Sequence, residues 1–247
     1  MSSDFATFAA LHVAGDPLVL YNIWDPGSAK AVAGAGAKAL ATGSHPVGDA
    51  SGFGDGQRVP LSYVFDNARR IIAATDLPLT VDFEGAYSTD PEEGAANVAR
   101  LKETGVVGCN LKDQVIGGEG LHPIGDQVDR ITSIRSKVGE DFFINARTDL
   151  MLKAKVHDEA LVDQIIERGQ AFADAGASGL FVPRLSDPRH VERVVREVPL
   201  PLNLIAFPGA PSKQEWAAAG VARISHGPFP FRTLMEQLQA NAKEAFA

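Results

Sequence analysis

The sequence predicts an α/β fold, a (β/α)8 TIM barrel formed by residues 1–247 as a single domain. Eight short apolar or β-rich runs recur along the chain, and most stay apolar until a polar end, as parallel strands covered on both faces do. Segments with helical spacing separate them. Eight such units in 247 residues match the roughly 250 residues of a typical eight-fold barrel.

The strand-like runs are LVLYNIW (18–24), ALATGS (39–44), LTVDFE (79–84), GCNLKD (108–113), FFINARTD (142–149), GLFVPRL (179–185), PLNLIAF (201–207) and ARISHGP (222–228). After Pro60, which suits a first helical turn, apolar residues fall at Leu61, Val64, Phe65, Ala68, Ile71 and Ile72. In TDPEEGAANVARLKETG, Asp90 can cap a helix, Pro91 suits its first turn, Glu92 and Glu93 favour its positive end, and Gly105 can end it. Residues 123–138 place Ile124, Val128, Ile131 and Val138 on one side. Residues 158–176 do the same with Leu161, Ile165 and Phe172 and stop at Gly176. The rival architecture, a doubly wound dinucleotide-binding sheet, needs G-x-G-x-x-G after its first strand. The nearest approach, AGAGAK (33–38), lacks the third glycine and follows a helix-like segment, so it reads as a helix end.

Lys plus Arg is 23 and Asp plus Glu is 31, a formal net charge of −8. That argues against a nucleic-acid surface, which needs clustered basic residues. It leaves room for a small anionic substrate, because a pocket can differ from the average. The single cysteine, Cys109, excludes an internal disulfide and a cysteine-based zinc cluster. By strand parity it faces away from Lys112 and reads as a buried thiol. The start, MSSDFATFAALHVAGD, has neither a basic n-region nor a long apolar core, and no apolar run approaches the roughly 20 residues of a membrane helix. A cytoplasmic protein with no membrane partner is expected.

In such barrels chemistry collects at the C-terminal ends of the strands. Those ends carry Asp25, Ser44, Asp82 and Glu84, Lys112 and Asp113, Arg147 and Asp149, Arg184, Asn203, and Ser225 with His226. Asp82 and Glu84 are two apart, so on a strand they face the same way and invite a cation between them. Oxygen-rich sites of this kind suit Mg²⁺; simple pairing with basic neighbours is the alternative. The planar fork of Arg147 fits a carboxylate or phosphate, or else a rim salt bridge with Asp149 or another acid. Two glycine-rich loops, VGDASGFGDG (47–56) and QVIGGEG (114–120), are candidate lids or plain surface turns, and neither carries a P-loop G-K-[ST]. Ser44-His45 and Ser225-His226 are adjacent pairs whose members would point to opposite faces of a strand, so neither sets a nucleophile against its base, and no G-x-S-x-G elbow exists.

Taken in order, these pieces resemble the isocitrate lyase/phosphoenolpyruvate mutase superfamily, with its short bacterial branch most similar. The resemblance runs through NIWD (22–25), ATGS (41–44), GFGD ending at Asp55, DFEG (82–85), ARTD (146–149), PLN (201–203) and GVARIS (220–225). It implies Mg²⁺ on the acid matching Asp82, with Glu84 contributing directly or through water, and a 2-oxo acid or its enolate on the metal. It implies that the turn of Thr42, Gly43 and Ser44, through backbone amides around Gly43 and Ser44, and Arg147 hold the anionic groups. Asn203 falls in the matched PLN piece of the substrate site, and Asp55 lies near the reacting centre. It implies C–C or P–C bond cleavage or rearrangement beside a 2-oxo or 2-hydroxy acid, and a C-terminal helix, in FPFRTLMEQLQANAKEAFA, exchanged between subunits of a homodimer or homotetramer.

Two departures stand out. Members usually carry E-D after strand 4, where this chain has K-D, so Lys112 replaces an acid that supports the metal. The K-[KR]-C-G loop of isocitrate and methylisocitrate lyases is absent; the loop here reads QVIGGEGLHP, which argues against cleavage of those two substrates by that route. Replacing glutamate by lysine shifts local charge by two units, and one close charge contact is worth about 4 kcal/mol before solvation at an effective dielectric near 20. Lys112 can pair with a strand-3 acid while a weaker Mg²⁺ site persists. It can serve as the electrophilic cation or a Schiff-base amine. Or the site is degenerate and binds without turnover. The reading taken forward is a C–C lyase of a small carboxylate. The alternatives are a P–C bond enzyme of the phosphonopyruvate hydrolase or phosphoenolpyruvate mutase type, and a non-catalytic carboxylate-binding barrel.

Overall fold

The computed structural model describes residues 3–247. Its strands are β1 (Leu18–Leu20), β2 (Leu40–Ala41), β3 (Leu79–Asp82), β4 (Gly108–Lys112), β5 (Phe143–Arg147), β6 (Gly179–Phe181), β7 (Leu202–Ile205) and β8 (Arg223–Ser225). The helices are α1 (Ser3–Ala10), α2 (Pro26–Gly34), α3 (Ser44–Ala50), α4 (Leu61–Ile72), α5 (Pro91–Lys102), α6 (Ile124–Val138), α7 (Leu150–Lys153), α8 (Glu159–Asp174), α9 (Pro188–Glu197), α10 (Lys213–Ala218) and α11 (Phe229–Phe246). The strands pair in parallel in the order β1-β8-β7-β6-β5-β4-β3-β2. Between β1 and β2 the ring closes through one bridge, where the Ile23 amide donates to Ala41 O (2.9 Å) and the Gly43 amide to Ile23 O (3.2 Å). This is the (β/α)8 barrel that the apolar runs predict, and each run contains one strand.

Local signals start and stop the elements as the sequence suggests. Asp90 caps α5 by accepting from the Glu93 amide at 2.8 Å, and Pro91 occupies the first turn. Gly36, in AGAGAK, takes a positive φ of 93° just past the end of α2. Two expectations are corrected. The run 39–44 does not stay extended: Gly43 caps α3, and Ser44 and His45 form its first turn. The first half of the 47–56 loop is therefore helical. On α6 the inward face includes Gln127 and Arg130, while Val128 is only half-buried. Arg130 is tolerated there because Nη2 donates to the carbonyls of Gly85 (2.6 Å) and Ser88 (3.0 Å).

Inside the barrel, Asn110, Asn145, Asn203 and Arg223 form a buried polar layer. Asn145 Nδ2 donates to Asn110 Oδ1 (2.8 Å) and Asn203 Oδ1 (3.1 Å), and Arg223 Nη2 donates to Asn110 Oδ1 (3.2 Å). Below that layer α1 seals the N-terminal end. Phe8 is fully buried with Leu18, Ala39, Val107 and Phe143, and the His12 ring stacks on Phe143 at 4.2 Å. Burial, aided by the charge of Arg223, pushes the His12 pKa down to about 3. Cys109 is wholly buried, which pushes its thiol up to about 12. At the other end of the chain α11 buries only Pro230 and Phe231, and from Arg232 nearly all of it is exposed. Among the described residues no helix is long and apolar enough to cross a membrane.

Replacing Phe8 by Ala should test the seal. It removes a fully buried aromatic and is expected to lower unfolding free energy by about 3–5 kcal/mol, read from urea denaturation.

Candidate active site

The site is built on the turn that follows β3. Asp82 ends that strand. Its Oδ2 accepts from Ser44 Oγ (2.9 Å) and the Ser44 amide (3.3 Å), and its own amide donates to Thr42 Oγ1 (3.2 Å). Its Oδ1 is buried and has no partner. Burial would raise the Asp82 pKa, but the charges of Lys112 and Arg147 and the Ser44 bonds outweigh it and hold the carboxylate below its ordinary range.

Beyond Asp82 the chain turns through three non-glycine residues with positive φ: Glu84 (52°), Ala86 (57°) and Tyr87 (59°). Such a turn persists only where its surroundings over-determine it. Gln57, itself at φ 58°, does so. Its amide donates to Glu84 Oε1 (2.7 Å), and its Oε1 accepts from the amides of Gly85 (3.0 Å) and Tyr87 (2.9 Å). Arg130 holds the same turn from behind, and the Lys112 amide donates to Glu84 O (2.7 Å). Strand parity therefore does not explain Glu84, because β3 has already ended; the left-handed turn aims it.

It aims it at Lys112. Lys112 Nζ lies 3.3 Å from Glu84 Oε2 and 3.5 Å from Ser44 Oγ, with both members of the ion pair buried. Burial raises the Glu84 pKa, and the lysine charge offsets only part of that. On β5, Arg147 Nε donates to Asp149 Oδ1 (2.6 Å), and its guanidinium carbon sits 5.3 Å from the centroid of Phe181. Among the described residues nothing accepts from its two terminal nitrogens. Asp149 is fixed in turn by Asp113, whose Oδ1 accepts from the Asp149 amide (2.9 Å) and whose Oδ2 accepts from Arg168 Nη1 (3.1 Å). Burial pushes Asp113 up to about 6.

A cavity of about 620 Å³ opens at this end of the barrel, and Gly43, Ser44, Asp82, Lys112 and Arg147 line it. Asp55 stands exposed on its rim. Thr42 and Asn203 are elsewhere: Thr42 buttresses Asp82 from below, and Asn203 lies in the buried polar layer. The Gly43 amide is committed to closing the barrel and the Ser44 amide to Asp82. Among the described residues no serine–histidine bond forms; Ser225 Oγ donates to Asn203, and His45 faces Asp49 (3.3 Å). Gln57 and Arg130 escape sequence reasoning, since a loop glutamine and a helical arginine carry no pattern that announces a tertiary partner.

The donor set fits a magnesium ion. Mg²⁺ keeps several waters and takes few protein carboxylates. Asp82 offers one ionised carboxylate with an unclaimed oxygen beside a cavity. Glu84 has both oxygens engaged, and among the described residues no group of three or more His, Cys, Asp or Glu gathers at one point.

Residues 8–246 match the family described as phosphoenolpyruvate phosphomutase. The chain belongs to the isocitrate lyase/phosphoenolpyruvate mutase superfamily. An uncharacterized protein of Mycobacterium tuberculosis (strain H37Rv) is 33% identical over 229 residues, 91% of this chain and 83% of that protein. A protein named as a probable 2-methylisocitrate lyase of Corynebacterium glutamicum is 34% identical over 157 residues, which are 60% of this chain and 49% of the relative. A crystal structure of a Burkholderia cenocepacia J2315 protein, provisionally named a phosphonomutase, superposes with a TM-score of 0.95 at 43% identity over 98% of each chain. The superfamily consists of C–C lyases and mutases.

Two measurements probe this framework. Lys112→Met leaves Glu84 buried without its counter-charge and should cost about 3–5 kcal/mol at pH 7 by chemical denaturation. Asp113 has a folded pKa of about 6 against 3.8, so between these values the folded chain holds a proton that the unfolded chain has released. Its contribution to stability falls as pH rises from about 4 to 6, and Asp113→Asn should flatten that part of the stability–pH curve.

Proposed function

We propose that this protein is a lyase that cleaves a C–C bond in a small 2-oxo or 2-hydroxy carboxylate, with Mg²⁺ held by Asp82. The observation that carries the reading is the unclaimed, buried oxygen of Asp82 on a cavity it shares with Lys112 and Arg147. Cleavage beside such a group leaves an electron pair that must spread onto an oxygen as an enolate. Mg²⁺, when bound, supplies the Lewis acid that stabilises that charge.

The chain's own residues do the rest. The free terminal nitrogens of Arg147 can take a substrate carboxylate with two parallel bonds, and Phe181 and Asp149 hold the guanidinium in place. Ser44 Oγ holds Oδ2 of Asp82 and leaves Oδ1 unclaimed. The Lys112 ammonium adds a fixed positive charge beside the same spot. Its pairing with Glu84 supports a metal site that persists but is weakened. Asp55, exposed on the rim, can move a proton at the reacting carbon or hydroxyl. A second reading, P–C bond chemistry, draws on the provisional name of the 43% identical Burkholderia protein.

A homo-oligomer goes with this reading. α11 leaves Leu234, Leu238 and Phe246 exposed at 50%, 59% and 88%, which is more apolar surface than a free helix needs. A second copy of the chain, exchanging this helix, would cover it.

Turnover of oxaloacetate, phosphonopyruvate and 2-methylmalate, each with and without Mg²⁺, separates the readings. The expected result is Mg²⁺-dependent release of a 2-oxo acid from a C–C substrate, with Arg147→Gln lowering kcat/KM by about 10²–10³-fold. Binding of these acids without turnover of any would replace the lyase by a carboxylate-binding barrel. Light scattering should give the mass of a dimer or tetramer, and Leu234→Asp with Leu238→Asp should shift it toward the monomer.

A further inference from the structure

The floor of the cavity accounts for a three-carbon fragment, but the cavity is larger than that. Its outer wall adds Lys155, Arg184 and Arg232 to the cations on the floor, against only Asp55 and Asp82 as acids. Arg232 is engaged with His45, its Nη2 lying 3.1 Å from His45 Nε2. Arg184 is different. Its guanidinium carbon lies 5.1 Å from the centroid of Phe207, and among the described residues it has no carboxylate partner. It is exposed between buried Pro183 and Leu185, at the point where the chain leaves β6. Its φ is 73°, a conformation that glycine adopts without penalty and arginine does not.

Arg147 and Arg184 form a repeated device. Each lays its guanidinium over a phenylalanine from the next strand segment of the ring: Arg147 over Phe181 of β6, Arg184 over Phe207 just after β7. Stacking fixes the plane of the fork and leaves its edge free to take an anion with two bonds. Both residues line one cavity.

Building on the carboxylate-lyase reading above, we infer that Arg184 is a specificity-determining residue that binds the second, distal carboxylate of a dianionic substrate. Lys155 adds charge to the same wall. Arg147 with the floor takes the carboxylate next to the reacting centre, and Arg184 takes the far one.

Calorimetry at fixed Mg²⁺ tests this with paired ligands: the dianions 2-oxoglutarate and 2-methylmalate against the monoanion 2-oxobutanoate. Wild-type protein is expected to bind at least one dianion more tightly than the monoanion. Arg184→Gly removes the guanidinium and suits the local φ, so thermal stability should hold or rise. That variant should weaken dianion binding by about 10- to 100-fold and leave 2-oxobutanoate unchanged. Arg184→Lys should retain part of the preference. Equal binding of both dianions by wild type and Arg184→Gly overturns the inference, as does a wild type that binds 2-oxobutanoate with no preference for a dianion; in both cases the lyase reading of the floor stands. A wild type that binds none of the three ligands overturns the lyase reading and this inference with it.

Discussion

A lysine ammonium and a glutamate carboxylate, 3.3 Å apart and nearly out of water, fix the geometry on which the rest of the mouth depends. Either charge alone would be expensive to bury; together, with further hydrogen bonds, they are sustainable. The pair does more than neutralise. It ties the end of β4 to the turn after β3, and through the second oxygen of Glu84 it reaches Gln57 and hence the loop that carries Asp55. Three segments far apart in sequence are thereby locked to one another.

That lock explains why Asp82 is left available. With Glu84 claimed by Lys112 and Gln57, the free buried oxygen in this group belongs to Asp82, and the surrounding positive charge keeps it ionised. Where the resemblance to the superfamily implies a glutamate, Lys112 instead pairs with Glu84 and sets a fixed cation beside Asp82.

Much of this was legible in the chain. Parallel strands buried on both faces write themselves as apolar runs, and a charge at the end of such a run, as at Asp82, Lys112 and Arg147, marks the mouth of the barrel. The second run reads as extended past Gly43, but a glycine before Ser-His-Pro can equally start a helix, and here it does. Strand alternation predicts Glu84 beside Asp82, whereas a left-handed turn puts it there. Gln57 and Arg130 were illegible, since their role lies wholly in backbone groups distant in sequence. Motif position points to Thr42 and Asn203 as substrate contacts; the fold sets them beneath the cavity, bonded to Asp82 and Asn145.

The buried layer of the barrel carries one more lesson. Arg223 sits in that layer with two of its nitrogens unpartnered, burial draws its pKa down to about 9, and the charge that supports its protonated form is that of Asp82. The acid at the mouth is thus also the counter-ion of the interior. A variant that neutralises Asp82 would suffer two faults at once, a charge lost from the cavity above and an unbalanced charge below. Any attempt to transplant this mouth onto a related scaffold would have to bring the eighth strand along.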